Sequence, residues 1–70
     1  MFIIVHDHDG NEVYINANNV SMIEAAETGG SDLYAANGDF LLTAREGMAE
    51  IEKIISNARR VFISNARKAE

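Results

Sequence analysis

The sequence of 70 residues has no cysteine, proline or tryptophan, and its aromatic residues are three phenylalanines and two tyrosines. Without cysteine, neither a disulfide framework nor a thiolate metal site can form. An absence of cysteine is typical of cytoplasmic proteins, so we expect a cytoplasmic location. The small number of aromatic residues argues against a surface that stacks on nucleic-acid bases.

Long hydrophobic runs are also missing. The longest apolar stretch, residues 1–5, is far shorter than the roughly 20 residues that cross a bilayer as a helix. No basic segment followed by an apolar run marks a secretory leader, so we expect neither a signal peptide nor a membrane partner. The length predicts a single domain over residues 1–70, with a β-sheet in 1–43 and a helix in 44–68.

Basic residues are absent from the first 44 positions, whereas acidic residues occur throughout. Eleven acidic and six basic residues give a net charge of −5. Nucleic-acid binders usually carry a basic excess, so this balance disfavours RNA or DNA as a partner. An acidic first half and a mixed second half suit head-to-tail self-association or a basic protein partner. The candidate acidic face for such a partner comprises Glu24, Asp32 and Asp39.

Five short segments have the composition and alternation of β-strands: residues 2–6, 11–15, 20–27, 32–36 and 39–43. Asp9-Gly10 and Asn37-Gly38 predict two-residue hairpins, because glycine accepts the positive φ that such turns require. The Asn-rich break at residues 16–19 predicts one helical turn, and Gly29-Gly30 predicts a flexible connection. Together they predict an α+β fold, a five-stranded antiparallel twisted sheet covered by one long C-terminal helix.

Residues 43–70 predict that helix. Thr43 and Glu46 form a capping box, which would start the helix at Ala44. A helix over residues 44–68 is about 37 Å long, whereas a strand of five or six residues spans about 17–20 Å. The part of the helix that extends beyond the sheet needs another surface to cover its apolar residues, which predicts a homo-oligomer, most simply a dimer. Its interface would use the residues at or beside the heptad seam, namely Met48, Ile51, Ile55, Ala58, Val61 and Phe62.

A pattern of short motifs extends over residues 2–56. It comprises Gly10, Glu12-Val13-Tyr14-Ile15-Asn16, Val20 with Ile23-Glu24, Asn37-Gly38, and Glu46 with Glu50, Ile51 and Ile54-Ile55. This pattern resembles that of the FlbD/SwrD family of small bacterial flagellar and swarming-motility proteins. The resemblance implies a non-enzymatic role that is carried out through protein contacts.

The order of five strands and one helix is also similar to that of the CsrA family of dimeric RNA-binding regulators. The basic residues with which that family contacts RNA are missing from the predicted strands. RNA binding is therefore the least favoured of the functions considered.

One segment has the chemistry of metal ligands: His6, Asp7, His8 and Asp9. Two imidazoles and two carboxylates can bind a divalent ion. On an extended strand, however, His6 and His8 would lie about 7 Å apart, which is long for one metal. The favoured interpretation is a polar hairpin tip in which Asp7 or Asp9 accepts hydrogen bonds from backbone amides. We expect no metal and no cofactor.

No nucleophile and base can be paired by motif, since the serines lack a context such as the nucleophile elbow. The favoured function is therefore a non-catalytic, cytoplasmic protein-interaction or regulatory module that acts as a homo-oligomer. The alternative is a small acidic inhibitor or sponge encoded by a phage or mobile element. It would bind a basic protein surface, or a small ligand at the subunit interface.

Overall fold

The computed structural model describes the backbone of residues 1–68 and the side chains of residues 1–60. It has the predicted α+β class. The elements in chain order are β1 (Phe2–His6), β2 (Glu12–Asn16), a 3-10 turn (Ala17–Asn19), β3 (Val20–Ala25), β4 (Ser31–Ala35), β5 (Phe40–Ala44) and α1 (Met48–Lys68).

The strands form two antiparallel sheets, so the prediction of one five-stranded sheet is wrong. β1 pairs with β2, and β3, β4 and β5 form a separate three-stranded meander. The break is the 3-10 turn, where the Asn16 side chain accepts a hydrogen bond from the backbone N–H of Asn18. The Ala17 N–H then donates to the Met1 carbonyl at 2.8 Å, which directs the chain away from the edge of β2. β3 therefore does not pair with β2, and it pairs with β4 through the hairpin at Gly29.

All three hairpin turns have the same form. In each, a glycine N–H donates to the carbonyl three residues earlier at 2.9–3.1 Å, and the glycine has a φ of 87–95°. This is the three-residue hairpin whose last position is left-handed, and it favours glycine for that reason. The turns at Gly10 and Gly38 are therefore one residue longer than predicted. The connection at Gly29 is a tight turn of the same kind, where a flexible link was expected.

The hydrophobic core lies between the two sheets and the first turns of α1. The inner faces of the sheets contribute branched side chains that alternate with outward ones, and the helix contributes Ile51. The buried hydrophobic residues among the described side chains are Ile3, Val5, Ile15, Ala17, Leu33, Ala44 and Ile51. Two of the seven are alanines, so the core is small even for a chain of this length.

The helix begins at Met48, four residues after the predicted Ala44, and the capping box does not form. Thr43 and Ala44 are the last residues of β5, where the Thr43 hydroxyl donates to Asp32 Oδ1 at 2.6 Å. The reason is packing, because Ala44 is fully buried and its carbonyl lies directly against Gly30. A side chain at Gly30 would collide with that carbonyl oxygen, so glycine permits the close approach.

The helix is longer than the strands on which it packs. Its 21 residues span about 31 Å, and the molecule measures 44 × 26 × 19 Å. The helix contacts β1 and β3. The helix residues that pack against the core are Ile51, Ile54, Ile55 and Ala58, so its N-terminal half covers the sheets.

Candidate functional site

The segment with metal-ligand chemistry forms the end of β1 and the first hairpin turn. Asp7 Oδ1 accepts hydrogen bonds from the backbone N–H groups of Asn11 at 2.9 Å and Asp9 at 3.0 Å. These bonds, that from Asn11 above all, lower the pKa of Asp7. His8 Nε2 lies 3.4 Å from Asp9 Oδ1. Asp7 thus caps the turn, as the favoured interpretation predicted, and within residues 1–60 no three potential ligands lie close enough to share a metal ion.

His6 points away from that turn and binds Glu46, which lies 40 residues later in the chain. The His6 ring Nδ1 is 2.5 Å from Glu46 Oε2, and the His6 backbone N–H donates to Glu46 Oε1 at 2.8 Å. The Glu46 side chain is only 10% exposed, compared with 40% for His6. One carboxylate therefore satisfies both the backbone and the side chain of His6.

This contact shifts the pKa of both groups toward the charged forms. The hydrogen bond that the His6 ring donates to Glu46 raises the pKa of His6, and the charge of Glu12 across the hairpin raises it further. Burial opposes ionisation of Glu46, but the hydrogen bonds from the His6 ring and backbone outweigh burial and lower the pKa of Glu46. The pair is thus stabilised as an imidazolium and a carboxylate.

The same pair joins the two sheets at the entrance to the helix. The Arg45 N–H donates to the His6 carbonyl at 2.6 Å, which is a direct hydrogen bond between the end of β5 and the end of β1. The buried Ser31 hydroxyl donates to the Glu46 carbonyl at 2.8 Å, and Arg45 Nη2 donates to the His8 carbonyl at 2.9 Å. We call His6, Ser31, Arg45 and Glu46 the junction cluster. The polar contacts of the junction cluster connect β1 and β4 to the segment between β5 and α1. These residues therefore have a structural role.

Sequence reasoning named both partners of this pair in other settings, His6 in a polar hairpin tip with a disfavoured metal alternative and Glu46 in a helix cap. The signal that would have joined them is weak. A glutamate just before a helix normally serves the helix N-terminus. Because β5 continues to Ala44, Glu46 lies beside the end of β1. This extension of β5 could not be predicted from the sequence around Glu46.

An apolar surface covers the outer face of the β1–β2 hairpin. Phe2, Ile4 and Tyr14 are 68%, 39% and 67% exposed, and Ile4 lies directly opposite Tyr14 in the strand register. We call these three residues the hairpin face. Side chains that are opposite or diagonal in a strand pair lie within reach of each other, so they form one continuous patch.

A second apolar row crosses the outer face of the three-stranded sheet. Met22, Tyr34 and Phe40 lie side by side in the register, and the rings of Tyr34 and Phe40 meet edge to face with centroids 5.8 Å apart. Beside Phe40, the exposed Leu41 interrupts the register of β4 and β5. Leu41 also lines a cleft of about 430 Å³ between β2 and β5. Both outer faces of the molecule therefore carry large hydrophobic side chains.

A groove of about 510 Å³ runs between β3 and the helix. Ile23 forms its wall on β3, and Met48 and Ile55 are its large apolar residues on the helix. Glu52 and Arg59 line the same groove and supply one charge of each sign. We call these five residues the helix groove.

The predicted oligomer interface residues divide into three groups in the structure. Ile51 is fully buried in the core of the single chain, so it is not available to a second copy. Ile55 and Ala58 are partly buried against that core, and Met48 is 45% exposed. Val61 and Phe62 lie outside the residues whose side chains are described. Among the predicted interface residues whose side chains are described, Met48 is therefore the most exposed, and Ile55 and Ala58 are only partly accessible to a second copy.

The structure brings together two of the three residues of the candidate acidic face. Glu24 and Asp32 lie opposite each other on β3 and β4, and Thr43 donates its hydroxyl to Asp32. Asp39 lies in the turn at the other end of β4, where its carboxylate accepts from the Asn37 side chain at 2.9 Å. The apolar row of Met22, Tyr34 and Phe40 separates the pair from Asp39, so the three carboxylates do not form one surface.

Comparison with protein families, with curated proteins and with solved structures gave no match. Within the described part of the chain, no helix is both long enough and apolar enough to span a membrane. The resemblance to the FlbD/SwrD family stays a prediction from the residues that carry it.

Proposed function

We propose that this chain is a non-catalytic protein-interaction module that acts as a homo-oligomer, most simply a dimer. One observation carries the proposal. Among the described side chains, seven large hydrophobic ones are exposed, whereas only five are buried once the two core alanines are set aside. The exposed residues are Phe2, Ile4, Tyr14, Met22, Phe40, Leu41 and Met48. These residues form apolar patches on the outer faces of both sheets and on the helix, and exposed apolar patches mark interaction sites.

The energetic argument concerns the size of the core. A chain of 70 residues has a free energy of unfolding of about 3 to 10 kcal/mol at typical values per residue. Full burial of one large hydrophobic side chain contributes about 1.5–3 kcal/mol. Covering three or four of the exposed ones would therefore add an amount comparable to the stability of the isolated chain. Association is a general route by which domains of this size become stable.

A second copy of the chain is the occupant that the charges favour. The strands and turns up to Ala44 carry acidic residues and no lysine or arginine, while the described lysine and arginine residues other than Arg45 lie on the helix. Two copies can therefore place the basic residues of one copy's helix beside acidic residues of the other copy. The polar residues of the junction cluster hold the fold together, which accounts for their positions without any reaction.

The solution mass tests the proposal. We expect light scattering to show a mass that rises from 7.7 kDa toward twice that value over a concentration series. The melting temperature should rise with concentration as well, because a dimer is stabilised by mass action. High salt should leave the mass largely unchanged if apolar contacts dominate. A mass of 7.7 kDa at all concentrations up to the millimolar range would refute self-association.

A further inference from the structure

The helix groove carries a self-complementary pattern. Met48, Glu52, Ile55 and Arg59 follow one another at steps of four, three and four residues, so they lie on one stripe of the helix. The stripe faces the groove, because all four residues line it together with Ile23 of β3. It lies beside the buried Ile51, and its Ile55 also packs partly against the core.

The two charges on the stripe cannot neutralise each other within one chain. Glu52 and Arg59 are seven residues apart, which is about 10 Å along the helix axis. Neither side chain forms an ion pair or hydrogen bond with another residue of the described part. Each charge is therefore available to a partner that lies in the groove.

We propose that the helix groove binds the α1 helix of a second copy, with the two helices antiparallel about a two-fold axis near Ile55 and Ser56. This inference rests on the proposed self-association and specifies its geometry. Because positions 52 and 59 are equally distant from that axis, Glu52 of each copy lies opposite Arg59 of the other. Two ion pairs then flank an apolar centre formed by the two Ile55 side chains.

The charges also select the direction of the helices. A parallel pair in the same register would place Glu52 opposite Glu52 and Arg59 opposite Arg59, and both contacts would be repulsive. The antiparallel arrangement replaces these two repulsions by two attractions. The stripe therefore specifies orientation, and the apolar residues Met48, Ile55 and Ile23 supply the buried surface.

A charge swap tests this geometry. Glu52→Arg and Arg59→Glu, made separately, each place like charges opposite one another at both ends of the helix pair. Each should weaken the dimer by about tenfold in Kd, measured by sedimentation or light scattering over a concentration series. The double variant restores both attractions with reversed polarity, so its Kd should return to within about threefold of the original.

Lys53→Glu is the matched control, because it changes the net charge as Arg59→Glu does and lies on the exposed side away from the groove. It should leave the Kd unchanged, and circular dichroism should show that all the variants keep their helix. If the original protein is a dimer but the single variants keep its Kd, or the double variant does not recover, the antiparallel pairing is wrong while self-association stands. If the original protein is monomeric throughout, both proposals fail.

Discussion

Ile51 and Met48 lie three residues apart on α1, yet the structure gives them different roles. Ile51 is fully buried in the core of one chain, whereas Met48 is 45% exposed. Ile51→Ala removes three carbon atoms and leaves a cavity. At about 0.8 kcal/mol for each buried carbon, plus the cavity, we expect a loss of about 3 kcal/mol in the free energy of unfolding. For a domain of this size, that loss lowers Tm by roughly 12–24 °C.

Met48→Ala is the matched control. Part of the Met48 side chain already contacts solvent, and alanine favours the helix slightly, so the monomer should lose about 1 kcal/mol or less. If Met48 lies in the dimer interface, its effect on Tm should grow with protein concentration, because association then contributes to stability. The effect of Ile51→Ala should persist at every concentration.

Far-ultraviolet circular dichroism is the suitable assay, because the chain has no tryptophan to report on unfolding by fluorescence. Thermal and urea unfolding of both variants should be measured at two concentrations about a hundredfold apart. Equal losses for the two variants at the lower concentration would show that Ile51 is not the core residue described above. A loss for Ile51→Ala that vanishes on dilution would place Ile51 between chains, contrary to the structure.

The junction between the sheets gives two further predictions. The pKa of His6 is raised above its ordinary 6.5, so the stability that the pair gains from the His6 imidazolium is present below pH 6.5 and is lost as pH rises. The pKa of Glu46 is lowered below 4.5, so the stability that the pair gains from the Glu46 carboxylate is present above pH 4.5 and is lost as pH falls. Tm should therefore be highest between about pH 4.5 and 6.5, and Glu46→Gln should flatten the profile; an unchanged profile would contradict the pairing. Gly30→Ala should lower Tm because its Cβ meets the Ala44 carbonyl, whereas Gly47→Ala, with 3.6 Å of room, should be nearly neutral by the same melt.

The strands were predictable because their signals are local. Alternating side chains and a glycine at each turn define five strands within about two residues of their observed ends, whatever lies around them. The division into two sheets is not a local property. It depends on the direction that the chain takes after the 3-10 turn Ala17–Asn19. The sequence of such a short turn indicates that the chain changes direction, but it does not indicate the new direction. The sequence pattern therefore predicted the elements, the class and the pairing of β3 with β4, but not the break between β2 and β3.

The start of the helix shows how a tertiary contact overrides a local signal. Thr43 and Glu46 have the spacing of a capping box, and in an isolated peptide that motif would favour a helix from Ala44. In the folded chain Ala44 is buried against Gly30, and Glu46 satisfies two groups of His6. The Glu46 carboxylate is 10% exposed and accepts hydrogen bonds from His6 of β1, 40 residues earlier in the chain. The spacing of residues around Glu46 cannot indicate a contact with so distant a residue.

The position of the helix also shows that one heptad seam does not distinguish the residues that pack on the core from those that line the groove. A seam predicts one apolar stripe, but a helix that both covers a sheet and meets a partner needs two stripes at different angles. The core takes the stripe of Ile51 and Ala58, and the neighbouring stripe of Met48 and Ile55 lines the groove. The second stripe includes Glu52, which a search for apolar periodicity passes over. A charge that is buried at a contact is costly unless an opposite charge lies beside it. The charged residues of the helix groove, Glu52 and Arg59, therefore restrict the choice of partner and its orientation more strongly than the apolar residues do.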